Sequence, residues 1–196
     1  MNAAPATRRP RGEATIVRLL DSASEILCAR GAAAISVQRV AEAAGTSKAL
    51  VHYHFAGKDA LLVACIERLA GQLAQAEGGA LAASRSASAV SDLWDALMAP
   101  QTRGWRRALL SLTTDATAAM GVALAAAVRR RHAAAARVLA RLEELLGYSP
   151  LIPRGTLAIA YVALVDGLTL DHSVEAGPRQ RQAFDAFWLA LLSLDA

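Results

Sequence analysis

The chain has 196 residues, is rich in alanine, leucine and arginine, contains 5% aromatic residues and carries a formal net charge of +4. That length permits one domain or two small ones around a substantial core, and the composition favours helix over sheet. The two cysteines lie far apart outside any CxxC pattern, no N-terminal stretch has a signal peptide's apolar centre, and the longest apolar runs are too short and alanine-rich to span a bilayer, which argues against a disulfide framework, a zinc site, secretion and a membrane partner.

A soluble cytoplasmic protein without cofactor or metal is expected. The charge is unevenly placed: up to residue 59 there are 8 basic and 5 acidic residues, and beyond it 13 and 12. A basic first third on a nearly neutral body points to a polyanionic partner.

Residues 1–12 hold Pro5, Pro10, Gly12 and three arginines without periodicity, and read as a flexible basic arm. Ile16, Leu19, Leu20, Ala23, Ile26 and Leu27 then trace one helical face, ended by Gly31. Ser36 is placed to cap a short helix over 37–44, and Gly45 supplies the positive φ of a tight turn. Thr46 or Ser47 caps a third short helix reaching about Tyr53. Lys58-Asp59 opens a longer fourth helix with the stripe Leu62, Cys65, Ile66, Leu69 and Leu73.

Beyond Gly78-Gly79 the pattern predicts helices near 89–98, 102–117, 120–147, 153–175 and 179–194, about nine in all. The alanine-rich stretch 116–141 fits one helix or two. The fold class is therefore all-α: a three-helix head over 13–57, then a helical domain over 58–196.

Residues 35–55, ISVQRVAEAAGTSKALVHYHF, join two short helices at a glycine turn. Val40, Ala41 and Ala44 face inward from the first helix, Leu50, Val51 and Phe55 are the apolar positions of the second, and the alanines allow close approach. This is a helix-turn-helix, whose second helix enters the DNA major groove. Ser47 and Lys48 stand at its start, where backbone N–H groups favour phosphate. Lys48 can reach guanine or a phosphate, Ala49 suits a thymine methyl, and His52, Tyr53 and His54 offer donors to the DNA backbone.

From Leu19 to Leu62 the chain resembles the DNA-binding domain of the tetracycline-repressor (TetR) family. The matching residues include Ser36-Val37-Gln38-Arg39-Val40-Ala41, Ala44-Gly45, Ser47-Lys48-Ala49, His54-Phe55 and Lys58-Asp59-Ala60-Leu61-Leu62. The resemblance implies that Gln38, Lys48, Ala49 and Leu50 read bases. It implies that Ser36, Ser47, His52, Tyr53, His54 and Lys58 hold phosphates. Two residues depart from the family pattern. Thr46 stands where a branched aliphatic is usual, and His52 stands where tyrosine is common, with Tyr53 next to it, so either His52 or Tyr53 takes that phosphate contact.

In the body, Trp94, Met98, Trp105 and Met120 are either ordinary core or the lining of an apolar effector pocket, with Asp166 and His172 as polar groups to orient the ligand. Leu157, Tyr161, Leu164 and Leu168, then Phe184, Phe187, Trp188 and Leu191, form helical rows; they suit an intramolecular core, while the resemblance implies pairing with a second copy in a four-helix bundle. Arg129-Arg130-Arg131 reads as an exposed flank, and Cys28 and Cys65 as buried between the first and fourth helices.

His52 and His54, two apart, make a poor metal pair, and no catalytic constellation is present, so no enzyme is expected. The expected function is a dimeric repressor that binds an inverted-repeat operator in duplex DNA and is released by a small, mostly apolar ligand. The rival readings are a ligand-free repressor or architectural protein, and a helical carrier or enzyme.

Overall fold

The computed structural model describes residues 8–170 and 177–193. Helix α1 runs Arg8–Arg30. It therefore takes in residues 8–12, which the sequence pattern assigned to an arm. Pro10 permits this because it falls in the first turn, where a backbone N–H has no helical partner to lose. Leu19, Ala23 and Leu27 are the fully buried members of its apolar row. Gly31, at φ 74°, ends the helix, and a short 3₁₀ turn at Ala32–Ala34, not anticipated from sequence, leads to the next element.

Helices α2 (Val37–Ala43) and α3 (Lys48–His54) match the predicted pair within a residue. Each begins with a serine cap: Ser36 Oγ accepts from Arg39 N and Ser47 Oγ from Leu50 N, both at 3.2 Å. Between them Gly45 sits at φ 62°, donating to Glu42 O, while Thr46 N donates to Ala41 O at 2.9 Å. Nothing lies within 4 Å of a Cβ placed on Gly45, so its substitution costs backbone strain and not space. Gly45→Ala is expected to lower stability by about 1 kcal/mol in a urea titration. An unchanged midpoint would remove the conformational explanation of this turn.

The remaining helices are α4 (Lys58–Gly79), α5 (Ala89–Met98), α6 (Pro100–Ser111), α7 (Ala118–Leu146), α8 (Arg154–Leu170) and α9 (Pro178–Leu192). Helix α6 stops six residues short of its predicted end. There Thr117 caps α7 instead, its hydroxyl accepting from Met120 N. Helix α7 is a single rod; Gly121 lies in its first turn and does not interrupt it.

Two hydrophobic clusters organise the described residues. The first joins α1, α2, α3 and α4 to the end of α6 and the start of α7. The second joins α5, the later half of α7, α8 and α9. Helix α4 packs along α7, and α7 along α8. No helix among the described residues is long and apolar enough to cross a membrane.

Candidate nucleic-acid interface

The inner face of the α2–α3 pair is dry. Val40, Ala41, Ala44, Val51 and Phe55 are buried in one cluster with Leu19, Ala23 and Leu27 of α1 and with Leu61 and Leu62 of α4. With Val51 fixing the rotation of α3, the opposite face must point outward. Lys48, Ala49, His52 and Tyr53, at i, i+1, i+4 and i+5, are exposed there. Tyr53 is 77% exposed, an uneconomical position for a large ring unless something covers it. The His54 ring packs edge-on against it at 5.0 Å, and His54 and Leu50 are half-buried.

Around α3 the other predicted contacts are also at the surface. Gln38 is exposed and donates to Glu42 one turn on, which presents its amide from the first turn of α2. Ser36 and Ser47 use a lone pair on their caps, leaving each hydroxyl proton free to meet a phosphate oxygen. Lys58, exposed, opens α4. Eight of these ten residues are exposed, and they bring hydrogen-bond donors and two lysines to the surface of a scaffold packed from within. That is what recognition of a phosphate backbone and of base edges requires.

Residues 19–65 match the family described as bacterial regulatory proteins, tetR family. The transcriptional regulator BetI of Rhizobium meliloti is 29% identical over 163 residues, spanning 82% of this chain and 78% of that protein. BetI of Brucella anthropi is 39% identical over 57 residues, 29% of each chain. The head of the chain is thus similar in sequence to the tetR family. Among solved structures, a TetR transcription regulator from Haloarcula marismortui superposes with a TM-score of 0.72 at 17% identity, over 94% of this chain and 100% of the other. A protein from Saccharomonospora viridis, solved in complex with choline, gives 0.67 at 21%, over 89% and 95%. The fold of this chain is therefore shared with those structures well beyond its head.

In the body of the protein the predicted pocket residues do not come together. Trp94 and Met98 belong to the second cluster, where the Trp94 ring lies 5.2 Å from Phe184 and beneath the Arg181 guanidinium. Met120 is buried in the first cluster, and Trp105 packs at its margin while lining a cleft between α1, α4 and α6. His172 lies outside the described residues. Asp166 is committed to charges: Arg131 grips it with both terminal nitrogens, at 2.8 and 2.5 Å, and Arg106 Nε lies 3.7 Å away.

The rows assigned to the dimer are interior to a single protomer. Leu157, Tyr161, Leu168, Phe184, Trp188 and Leu191 are buried in the second cluster, and Leu164 and Phe187 are half-buried against it. Within the protomer α9 packs on α5 and reaches α8, bringing Trp188 within 6.2 Å of Tyr161 and allowing Gln180 to donate to Leu168 O. Exposed instead on α8 beyond its first turn are Ile159, Ala160, Ala163, Gly167 and Leu170, and on α9 Ala183, Ala186, Leu189 and Ala190 together with Arg179 and Gln182.

Sequence reasoning missed a buried charged cluster. Arg106, fully buried, donates to Glu77 Oε1 and Thr169 Oγ1, each at 3.0 Å, and to Leu97 O at 3.3 Å. Arg131, read as part of an exposed flank, is 2% exposed; only Arg129 and Arg130 face outward. Burial pushes the Tyr161 hydroxyl well above its ordinary pKa, with Glu77 adding to the effect, so it stays protonated beside this cluster. The available signal was positional. Glu77 follows Leu69 and Leu73 at i+4 steps, and Arg131 follows Ala123 and Ala127 in the same way, so both charges sit on buried stripes.

Cys65 is fully buried, as expected, and burial pushes its thiol up to about 12. Cys28 is only half-buried and lines the cleft beside Trp105.

Proposed function

We propose that this regulator is a dimeric repressor that reads an inverted-repeat operator with α3 and changes its DNA affinity on binding a small molecule. The observation that carries the DNA reading is the outer face of α3. Lys48, Ala49, His52 and Tyr53 are exposed on a helix whose other face is locked by Val51 and Phe55. Residues 13–57 act as the head and 58–196 as the regulatory and dimerisation part. Two heads related by a twofold axis favour half-sites roughly 10 bp apart or a multiple of it.

The dimer forms through the outward faces of α8 and α9. Between residues 155 and 170 no charged residue is exposed, and from 180 to 193 the two charged residues, Arg181 and Asp185, are half-exposed and paired with each other. Large exposed apolar residues, Ile159 at 55% and Leu189 at 70%, stand among small ones on these faces. Small-molecule control is supported by the choline found in the Saccharomonospora viridis neighbour.

Selection of bound fragments from random duplex DNA, repeated with variants, tests the assignment of contacts. Lys58→Ala should weaken binding to all sequences alike and flatten its salt dependence, because a phosphate contact releases counterions whatever the base. Lys48→Ala should cost about 1–3 kcal/mol and relax preference at one base per half-site. Identical base preferences in wild type and Lys48→Ala would move Lys48 to the phosphate contacts.

A further inference from the structure

Asp166 lies at the margin of the exposed stripe that Ile159, Ala163, Gly167 and Leu170 make along α8, one helical turn on from Ala163. Its side chain is 20% exposed, and it is the only charged residue of α8 beyond the first turn. A carboxylate beside an apolar face costs little while water reaches it. It costs much once a second surface covers it, unless a cation already shares its charge.

That cation comes from inside the same protomer. Arg131, on α7, donates to both Asp166 oxygens, at 2.8 and 2.5 Å, and Arg106 Nε, on α6, lies 3.7 Å from Oδ1. Neither arginine is open to solvent. Burial acts against the charge of Arg131, but the bond to Asp166 and the charges of Asp166 and Glu77 more than offset it. Its pKa therefore lies above the ordinary arginine value, and the guanidinium is charged. A paired, charge-assisted grip of this kind leaves Asp166 with little demand for water. Arg106 is shared, because its Nη2 also donates to Glu77 of α4 at 3.0 Å.

We propose that Asp166 belongs to the surface by which α8 meets a second copy of this chain, and that Arg131 and Arg106, buried beneath it, make that contact possible by neutralising it from within. This assignment rests on the dimer reading of the α8 and α9 faces. An acidic residue with a free charge at this place would have to shed its water with no cation to replace it; one already paired enters as a neutral unit. The strength of the dimer is therefore set in part by residues interior to each protomer. Arg106 divides its charge between Asp166 and Glu77, so α4, which opens with Lys58 in the candidate DNA surface, closes in the same balance.

Sedimentation equilibrium of the full-length protein, without DNA, measures the dimer constant. Arg131→Met should raise the dissociation constant about tenfold or more, because Asp166 then loses water on association without its cation. Adding Asp166→Ala removes the stranded charge, leaves Glu77 with Arg106, and should return the constant to within about threefold of wild type. Glu77→Gln supplies the contrast. Glu77 and Arg131 are both buried, and both single substitutions should lower the midpoint of a urea titration. Glu77→Gln, however, leaves both arginines to Asp166, so it should keep the dimer constant within about twofold. A purely structural role for the cluster would weaken the dimer in both.

Arg131→Lys covers the case in which Arg131→Met does not fold. It keeps the charge, gives up the paired grip, and should weaken the dimer about threefold. A wild-type constant in Arg131→Met, or in Arg131→Lys where only that variant folds, overturns the assignment. So does a double variant as weak as Arg131→Met, or equal weakening by Glu77→Gln. Ala163→Glu, whose added charge falls on the same stripe, tests the face itself. If it stays dimeric, the α8 face and the role of Asp166 fall together; a monomeric Ala163→Glu beside an unaffected Arg131→Met refutes the role of Asp166 alone.

Discussion

Arg106→Leu lowers the free energy of unfolding by about 3–5 kcal/mol, among the largest effects expected of any single substitution in this protein. Arg106 is fully buried and serves Glu77, Thr169 and the Leu97 carbonyl at once, with Asp166 close by. The cluster is balanced: Glu77 and Asp166 against Arg106 and Arg131. Removing one cation leaves a net negative charge on a mostly buried cluster, and Glu77, 1% exposed, has nowhere to turn.

Charge balance predicts a second, sharper result. Replacing Glu77 and Arg106 together by leucine leaves Asp166 with Arg131 and restores balance. That double variant should recover most of the loss, since a buried pair is worth little more than apolar groups of similar volume. Urea titration of the four proteins of this cycle measures both quantities. Additive losses in the double variant would mean that Arg106 acts through packing and not through its charge.

Ala163→Glu should convert the protein to a monomer and weaken binding to an inverted repeat by about 10²–10⁴-fold. Ala163 is exposed on α8, between Ala160 and Gly167 on one uncharged face. In a twofold interface each residue near the axis meets its own counterpart, so one substitution introduces two like charges where both must lose water. The loss in DNA affinity follows because the second head is no longer delivered at high local concentration. Val122→Glu, at an exposed apolar position of α7, is the control and should remain dimeric. Sedimentation and gel-shift titration read the two effects. A dimer that persists in Ala163→Glu with undiminished affinity would place the interface elsewhere.

The head was readable from sequence because its signals are local. Ser36 and Ser47 cap what they were expected to cap, Gly45 has the positive φ its turn demands, and Val40, Ala44 and Phe55 are buried. The body was readable as helices but not as neighbours. The row Leu157, Tyr161 and Leu168 announces burial, yet periodicity cannot say whether the covering surface is α9 or another copy.

Arg131 was hidden for a related reason. In an alanine-rich helix the contrast between faces is low, and three adjacent arginines look alike although they point in three directions. Trp94 and Trp105 are separated by only ten residues of chain, but Pro100 starts a new helix between them and sends the two indoles to different clusters.

Helix α7 has a mechanical implication. Its 29 residues make a rod of about 44 Å. Near its start Met120, Ala123 and Ala127 are pressed against the head, and further along Ala135, Val138, Leu139 and Leu142 are pressed against α8 and its neighbours. Arg131 marks the crossover. Neither cluster can loosen without baring one stretch of this same rod, so the two halves should melt in a single cooperative step, and amides along α7 should exchange with solvent at one common rate set by global opening. A head severed after residue 57 would also leave Leu61, Leu62, Ile66 and Leu69 behind, stripping its own interior. The reading head is thus a borrowed structure: it owes its shape to a helix that begins where the head, by sequence, ends.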